Sequence, residues 1–435
     1  LHKIINFCAV EIIKHERHRI RAQGRAGRIP QGSICSKRRS PESPSEHGKQ
    51  PYKGHCGAAH RAGKSVFAMQ MLEGQDFAYL NFDDERLIGI SDYDDLLKAI
   101  RQVYGETKCI LFDEIQNLHS WELFLNRLHR KGFNLVITGS NSRLLSGELA
   151  THLTGRYIQL QIFPFSFIEF LRTRNFVLDE TLAMKERQGM VLNLLSEYLN
   201  KGGYPEILVK NIEHTSYIKT LFESILFKDI VKRYNIRYAK KLYDLGLYLI
   251  INHSNEFSYT RLKKALEFKS VHTVGNYTNY LNEAFLIFSA GRFYHKVKEQ
   301  LKSPKKVYAY DTGVITAVKF KTTPDTGRLI ENLAAVELLR RGKEFYCYKT
   351  KDGKEVDFAI KEGLKISQLI QVCYDIDHYM TKKRETNALF KAAGEVGCKN
   401  LMALTWDYDS KEDFNKRTIY YLPLWKWLIS TTVSV

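Results

Sequence analysis

The stretch "GAAHRAGKSVFAMQML", Gly57 to Leu72, closes on the Gly-Lys-Ser that grips a nucleotide phosphate, but it opens one residue out of register. A phosphate-binding loop needs Gly, four residues, then Gly-Lys-Ser or Gly-Lys-Thr. Counting back from Gly63 puts Ala58 where the first Gly belongs, and Gly57 misses by one. The second half of the loop is intact: the Lys64 ammonium suits the β and γ phosphates and the Ser65 hydroxyl suits Mg2+. The helix expected from Ser65 to about Leu72 offers unpaired N–H groups to an anion.

Downstream the chain repeats one plan. "DFAYLNFDD" (Asp76 to Asp84) is a short strand ending in carboxylates, and "DLLKAIRQVYG" (Asp95 to Gly105) is an amphipathic helix with a Gly stop. In "KCILFDEIQNL", the apolar run Cys109 to Phe112 leads into Asp113 and Glu114, as a buried parallel strand does where its C-terminal end meets a ligand. "FNLVITGSNSRLL" opens from a strand, Leu135 to Thr138, into Gly139, Ser140, Asn141 and Ser142. The order predicts a three-layer α/β nucleotide-binding core. Within it Gly63, Lys64 and Ser65 hold phosphate, Ser65 and Asp113 hold Mg2+, and Glu114 orients or deprotonates the attacking water. Asn141, with Ser140 as the alternative, reaches the water or the γ phosphate, and Arg156 in "HLTGRYIQL" neutralises transition-state charge in cis or across a subunit interface.

Composition excludes several classes. The chain has 435 residues, 44% hydrophobic, enough for two to four domains. Seven scattered cysteines form no Cys-x-x-Cys pair, which fits a reducing cytoplasm rather than a disulfide framework or zinc knuckle. No apolar run approaches a membrane span. Half of the formal charge of +18 lies in residues 1–62, with thirteen Lys or Arg against four Asp or Glu, which is +9. The segment Ala22 to Gln50 is rich in Gly, Pro, Ser and Arg and poor in aliphatics, and its composition predicts disorder.

At "RAGKS", "YLNFDD", "ILFDEIQNLHSWELFLNRL", "LVITGSNSRLLSGELATHLTGRYIQLQIFPFSFIEFL", "GGYPE", "SILFKDIVKRYNI", "YDTGV", "ENLAAVELLRR" and "EVDFAI", the chain resembles the archaeal and bacterial AAA-type ATPases that carry a DUF4143 domain, near the STAND and archaeal ATPase groups. The resemblance spans roughly Arg61 to Val435 and implies ATP binding and hydrolysis. It departs at the front, where "HGKQPYKGHCGAAHRAGKS" stands in place of a hydrophobic strand leading into a Gly-x-Arg-Arg-type loop. Pro51, Lys53 and His55 argue against a buried central strand there, so residues 1 to about 60 are expected to stay out of the sheet. The simplest origin of such a segment is a displaced reading frame or start joining ordinary sequence near Arg61.

The domains expected are a basic leader (1–55), a P-loop core (56–172), a helical lid or linker (173–239), a winged helix (240–300) and a PD-(D/E)xK nuclease-like domain (301–435). In the winged helix, the helix from about Val274 to Ala284 would present His272, Asn276, Asn279 and Asn282 to the major groove of double-stranded DNA. Arg261, Lys263, Lys264, Arg292, His295 and Lys296 would meet phosphates, and "LIFSAGRFYHKV" would form a two-stranded wing turning at Ala290-Gly291. In the nuclease-like part, Glu331 on a helix and Asp357 on a strand precede Gln371 and Cys373 where Glu and Lys are normal, which predicts an inactive centre. Two function classes follow: an ATP-driven machine acting on DNA, a protein partner or its own oligomer, or a non-hydrolysing interaction or DNA-binding protein with a disrupted phosphate loop.

Overall fold

The computed structural model describes residues 9–13, 54–58, 62–87, 89–139, 157–210, 212–319, 325–374, 376, 378–414 and 417–430. The chain divides into two compact units, one built mainly on Gly63–Ile162 and the strands ahead of it, the other on Phe163–Val435. The disorder expected for Ala22 to Gln50 lies outside the described residues.

The first unit is a six-stranded sheet flanked by helices. Its strands are β1 (Ala9–Ile13), β2 (Gly54–Ala58), β3 (Ala78–Asn81), β4 (Cys109–Asp113), β5 (Asn134–Gly139) and β6 (Tyr157–Ile162), in spatial order β1-β6-β2-β5-β4-β3. β2 to β6 run parallel, and β1 adds antiparallel to β2 and β6. All five residues of β4 are buried, as its continuous apolar run predicts. α1 (Lys64–Met71) follows the loop, α2 (Tyr93–Tyr104) is capped by Asp92 accepting from the Asp94 and Asp95 amides, and α3 (Trp121–Arg130) leads into β5. Ile110, Phe112, Leu128, Leu135 and Ile137 pack with Leu97, Ile100, Phe124 and Leu125 to form the core.

The expectation that nothing ahead of Arg61 joins this sheet is overturned. β2 lies between β5 and β6, with Gly54 opposite Val136 and His55, Cys56, Gly57 and Ala58 opposite Gln159 through Ile162. Two parallel neighbours supply a ladder on each side, and a strand with three Gly or Ala among its five residues enters without an apolar run. Pro51 and Lys53 precede it.

In the second unit, α4 (Phe167–Thr173) starts at a Ser166–Glu169 capping box. α5 (Lys185–Lys201), α6 (Pro205–Lys210) and α7 (His214–Ser224) follow, and α7 continues into a π-helical turn, Ile225–Val231. α8 (Ala239–Ile251), the short β7 (Glu256–Phe257), α9 (Tyr259–Ala265), α10 (Val271–Glu283), β8 (Ile287–Gly291), α11 (Val297–Lys302) and β9 (Lys305–Ala309) come next. Leu245, Leu249, Leu262, Val274 and Leu281 knit the helices together.

β9 is the middle of a three-stranded sheet, β7-β9-β8, antiparallel to both neighbours. The hairpin expected at Ala290-Gly291 is therefore absent: Ile287–Gly291 is one strand whose partner arrives after α11. The division placed at 300/301 falls inside this sheet, because "KVYAYDTGV" contributes a strand to what precedes it.

After α12 (Thr312–Val318), the chain builds α13 (Thr326–Arg340), the antiparallel strands β10 (Glu344–Lys349), β11 (Glu355–Glu362) and β12 (Lys365–Cys373), and α14 (Tyr379–Val396). β13 (Leu401–Thr405) lies parallel to β12, and β14 (Ser410–Phe414) and β15 (Arg417–Pro423) complete the order β10-β11-β12-β13-β15-β14 before α15 (Leu424–Ile429). Phe293 donates its amide to the Cys347 carbonyl at 2.8 Å, beside an Arg292–Cys347 bridge that joins this sheet to the three-stranded one.

"GGYPE" and "YDTGV" meet in the second unit. The buried Asp311 carboxylate accepts from the Gly203 amide at 2.7 Å and the Gly313 amide at 2.9 Å. A β-carbon on Gly202 would sit 1.9 Å from Asp311 Oδ1, and one on Gly203 2.3 Å from the Phe165 carbonyl oxygen, so both positions exclude a side chain.

Candidate functional site

Gly63 caps α1 with φ 94°, a left-handed angle that glycine adopts at little cost, and this turns the next residue inward. Lys64 is only 5% exposed, and its Nζ lies 2.7 Å from Glu114 Oε1. Ser65 is half-buried. Glu114 itself has φ 49°, a strained angle for a residue with a β-carbon, which turns the chain sharply just beyond the last residue of β4.

Asp113 is buried and takes two hydroxyl donors, Tyr79 at 3.1 Å from β3 and Thr138 from β5. Thr138 Oγ1 also accepts the Glu114 amide at 3.1 Å, so one side chain fixes both members of the acidic pair. Burial first, and the Asp113 carboxylate second, push the Tyr79 hydroxyl above its ordinary pKa. Asp83 from "YLNFDD" adds a third carboxylate, held by Asn117 Nδ2 at 2.7 Å and raised by burial and then by Glu114.

Lys64, Asp113 and Glu114 thus lie together, with Ser65 one residue beyond Lys64. Asn141, Ser140 and Arg156 lie outside the described residues. Thr138, Tyr79 and Asp83 went unrecognised. Strand register brings Thr138 to Asp113, because Phe112 faces Ile137 across the β4–β5 ladder and the next pair follows.

A second cluster of charges lies in the other unit. Lys306 on β9, 4% exposed, has its Nζ 2.9 Å from Glu331 Oε1, 2.5 Å from Glu355 Oε1 and 3.1 Å from Asp357 Oδ1. Tyr308 donates to Glu331 Oε1 at 2.9 Å, and the Val372 amide to Asp357 Oδ2 at 3.0 Å. Burial, then Asp357, lift Glu331 to about 8 against the pull of Lys306. Burial pulls Lys306 down, but Asp357, Glu331 and Glu355 more than offset it and hold the ammonium above its ordinary value. Gln371 uses both ends of its amide, accepting from the Asp357 amide at 3.2 Å and donating to Glu385 at 2.7 Å. Cys373 is buried, and burial first among its causes raises its thiol well above the usual range. Among the described residues no group of His, Cys, Asp and Glu side chains is arranged to hold a metal ion.

On α10, His272, Asn279 and Asn282 are exposed and Asn276 half-buried, with Arg261 and Lys264 exposed on α9. Arg292, expected at a phosphate, is tied to Glu256 at 2.6 Å. No helix among the described residues is long and apolar enough to cross a membrane.

Residues 58–171 match the AAA domain family, which makes the first unit ATPase-like and nucleotide-binding in kind. Residues 192–325 match a domain of unknown function, DUF8612. The DUF4143 resemblance is overturned by this second match: "GGYPE", "SILFKDIVKRYNI" and "YDTGV" all fall inside it, and the long stretch from Leu135 to Leu171 belongs to the AAA domain. The uncharacterized protein MJ1544 of Methanocaldococcus jannaschii is 35% identical over 390 residues, covering 85% of this chain and 86% of that protein. An uncharacterized protein of Haemophilus influenzae is 31% identical over 335 residues, 73% of this chain and 81% of its own length. The M. jannaschii protein MJ1637 is 26% identical over 324 residues, 68% of this chain and 67% of that protein. No solved structure gives a significant match. With an AAA domain followed by DUF8612, and with identity to MJ1544 along most of both chains, this chain belongs to the family of that archaeal protein.

Proposed function

We propose that the first unit binds ATP with Mg2+ and hydrolyses it. The observation that carries this reading is the Lys64–Glu114 ion pair, 2.7 Å long, beside the buried Asp113 at the C-terminal end of a parallel strand. The donor set fits the ligand: an ammonium and a hydroxyl at a helix N-terminus for phosphate and metal, and carboxylates for the metal and for a proton. Lys64, Ser65 and Gly63 would hold the phosphates, and Ser65 and Asp113 the Mg2+, which when bound withdraws charge from the phosphate oxygens. In this structure the Lys64 ammonium and the Glu114 carboxylate neutralise one another. Transfer of Lys64 to an anionic phosphate leaves Glu114 free to take a proton from water, while Thr138 keeps its backbone in place. Asn141 and Arg156 complete the proposed set.

We further propose that nucleotide state is coupled to a binding surface in the second unit. α8, α9 and α10 with the β7-β9-β8 sheet are read as a winged helix offering His272, Asn276, Asn279 and Asn282 to duplex DNA. α13, β10 to β12, α14 and β13 are read as a nuclease-like αβββαβ fold without nuclease activity, because Gln371 and Cys373 are committed to internal contacts.

The test of the ATPase reading is a pair of variants. Lys64→Ala should abolish MgATP binding in a calorimetric titration, while Glu114→Gln should bind ATP yet turn over about 100-fold more slowly, the usual scale of general-base loss. Turnover of Glu114→Gln equal to that of the parent removes Glu114 from its role. Absence of MgATP binding by the parent chain favours the non-hydrolysing alternative.

A further inference from the structure

An ammonium group has three N–H donors, and Lys306 Nζ meets three carboxylates, one for each. Glu355 and Asp357 stand two apart on β11 and so share one face of that strand, and Glu331 comes from α13. The lysine arrives from β9, a strand of a different sheet. Two of the three carboxylates are also held from behind: Tyr308 donates to Glu331, and the Val372 amide donates to Asp357. Three oxygens from two elements converging on one point, two of them oriented by second contacts, is the kind of arrangement with which a protein surrounds a hard cation. The occupant of that point here is Nζ.

We propose that Lys306 is the resident cation of this carboxylate cluster, a covalently tethered substitute for a divalent metal, and that removing its ammonium turns the cluster into a metal-binding site. The oxygens lie 2.5–3.1 Å from Nζ. That spacing is wider than the about 2.0–2.1 Å that Mg2+ demands and nearer the about 2.3–2.6 Å that Ca2+ accepts, so the vacated cluster favours the larger, more adaptable cation. The same lysine pins β9, and with it the three-stranded sheet, to the face of β11. The lock is therefore also a second joint between the two sheets, beside the Arg292–Cys347 bridge, and it works without any change in nucleotide state. The proposal is independent of the ATPase reading, since none of its residues belongs to the first unit.

The experiment uses the full chain without nucleotide: the parent, Glu331→Gln/Asp357→Asn, Lys306→Ala, and the triple variant combining all three. Mn2+ binding is counted by the loss of the free-ion electron paramagnetic resonance signal, and Ca2+ binding by thermal shift. The parent and the double variant should bind equal amounts of Mn2+. Lys306→Ala should take up one more Mn2+ per chain and rise in melting temperature with Ca2+ more than with Mg2+, and the triple variant should lose both effects. If Lys306→Ala does not fold alone, refolding in millimolar Ca2+ should recover it. Mn2+ bound by the parent and lost in the double variant overturns the proposal. So does a folded Lys306→Ala chain with no added site, or one that no divalent cation restores.

Discussion

Replacing Gly203 by Ala tests how "GGYPE" and "YDTGV" are joined. An added β-carbon would lie 2.3 Å from the Phe165 carbonyl oxygen and 2.9 Å from its amide nitrogen, both backbone atoms that cannot swing aside. Relief requires the two segments to part by about 1 Å, at a typical overpacking cost of about 1–3 kcal/mol. The same movement lengthens the 2.7 Å bond from the Phe165 amide to the Gly203 carbonyl and the 2.7 Å bond from the Gly203 amide to the buried Asp311. Weakening a hydrogen bond to a buried charge adds about 1.5–3 kcal/mol. The sum, about 2.5–6 kcal/mol, should lower the melting temperature of the second unit by roughly 5–18 °C, measured by calorimetry. Gly275→Ala is the control: within α10 the added carbon meets Tyr259 Cε2 at 3.8 Å, an ordinary contact, and should stabilise by about 0.5–1 kcal/mol. Equal melting temperatures for the two variants would refute the close approach of these backbones.

Two other outcomes follow from single features. His253 is buried with Nδ1 3.1 Å from the Ile250 carbonyl, and burial holds its imidazole down at about 4. A base depressed on folding stabilises above its unfolded value, near 6.5, and loses that contribution as pH falls. The urea midpoint should therefore drop between pH 7 and 4 by the equivalent of about 3 kcal/mol, and His253→Gln should flatten that slope; an unchanged slope removes His253 as its source. If α9 faces duplex phosphates, Arg261→Gln/Lys264→Gln should weaken DNA binding for all sequences and reduce the log–log salt slope by about 1.8, with a parallel displacement of the line counting against those contacts.

Lys64, Asp113 and Glu114 were legible because their signals are local: a loop fixes Lys64, and the end of an apolar run fixes the acidic pair. Thr138 reads only as the last residue of a strand until the β4–β5 register sets it beside Asp113. The ladder that admits β2 comes from β5 and β6, some eighty and a hundred residues downstream, so nothing in "KGHCGAA" announces it. Lys306 was hidden for the same reason. It opens a segment that looks like the start of a domain, and its three carboxylates come from residues 331 to 357. The mixed α/β character of both units and the AAA-like first unit were visible in the sequence. The sheet partners were not, since pairing between distant strands leaves no periodic trace in either one.

The position of β2 also has a consequence for how the protein is made. It is the first strand of the parallel set to leave the ribosome, yet its neighbours are Asn134–Gly139 and Tyr157–Ile162. At about 5–20 residues per second, roughly 4–16 s pass between the synthesis of Ala58 and that of Gly139, the end of its first parallel partner. For that interval the central strand has no parallel partner, and β3 and β4 can pair with one another before it docks. The sheet is therefore closed from its β3 edge inward: β2 waits for β5, and β6, made last, fills the place between β2 and β1.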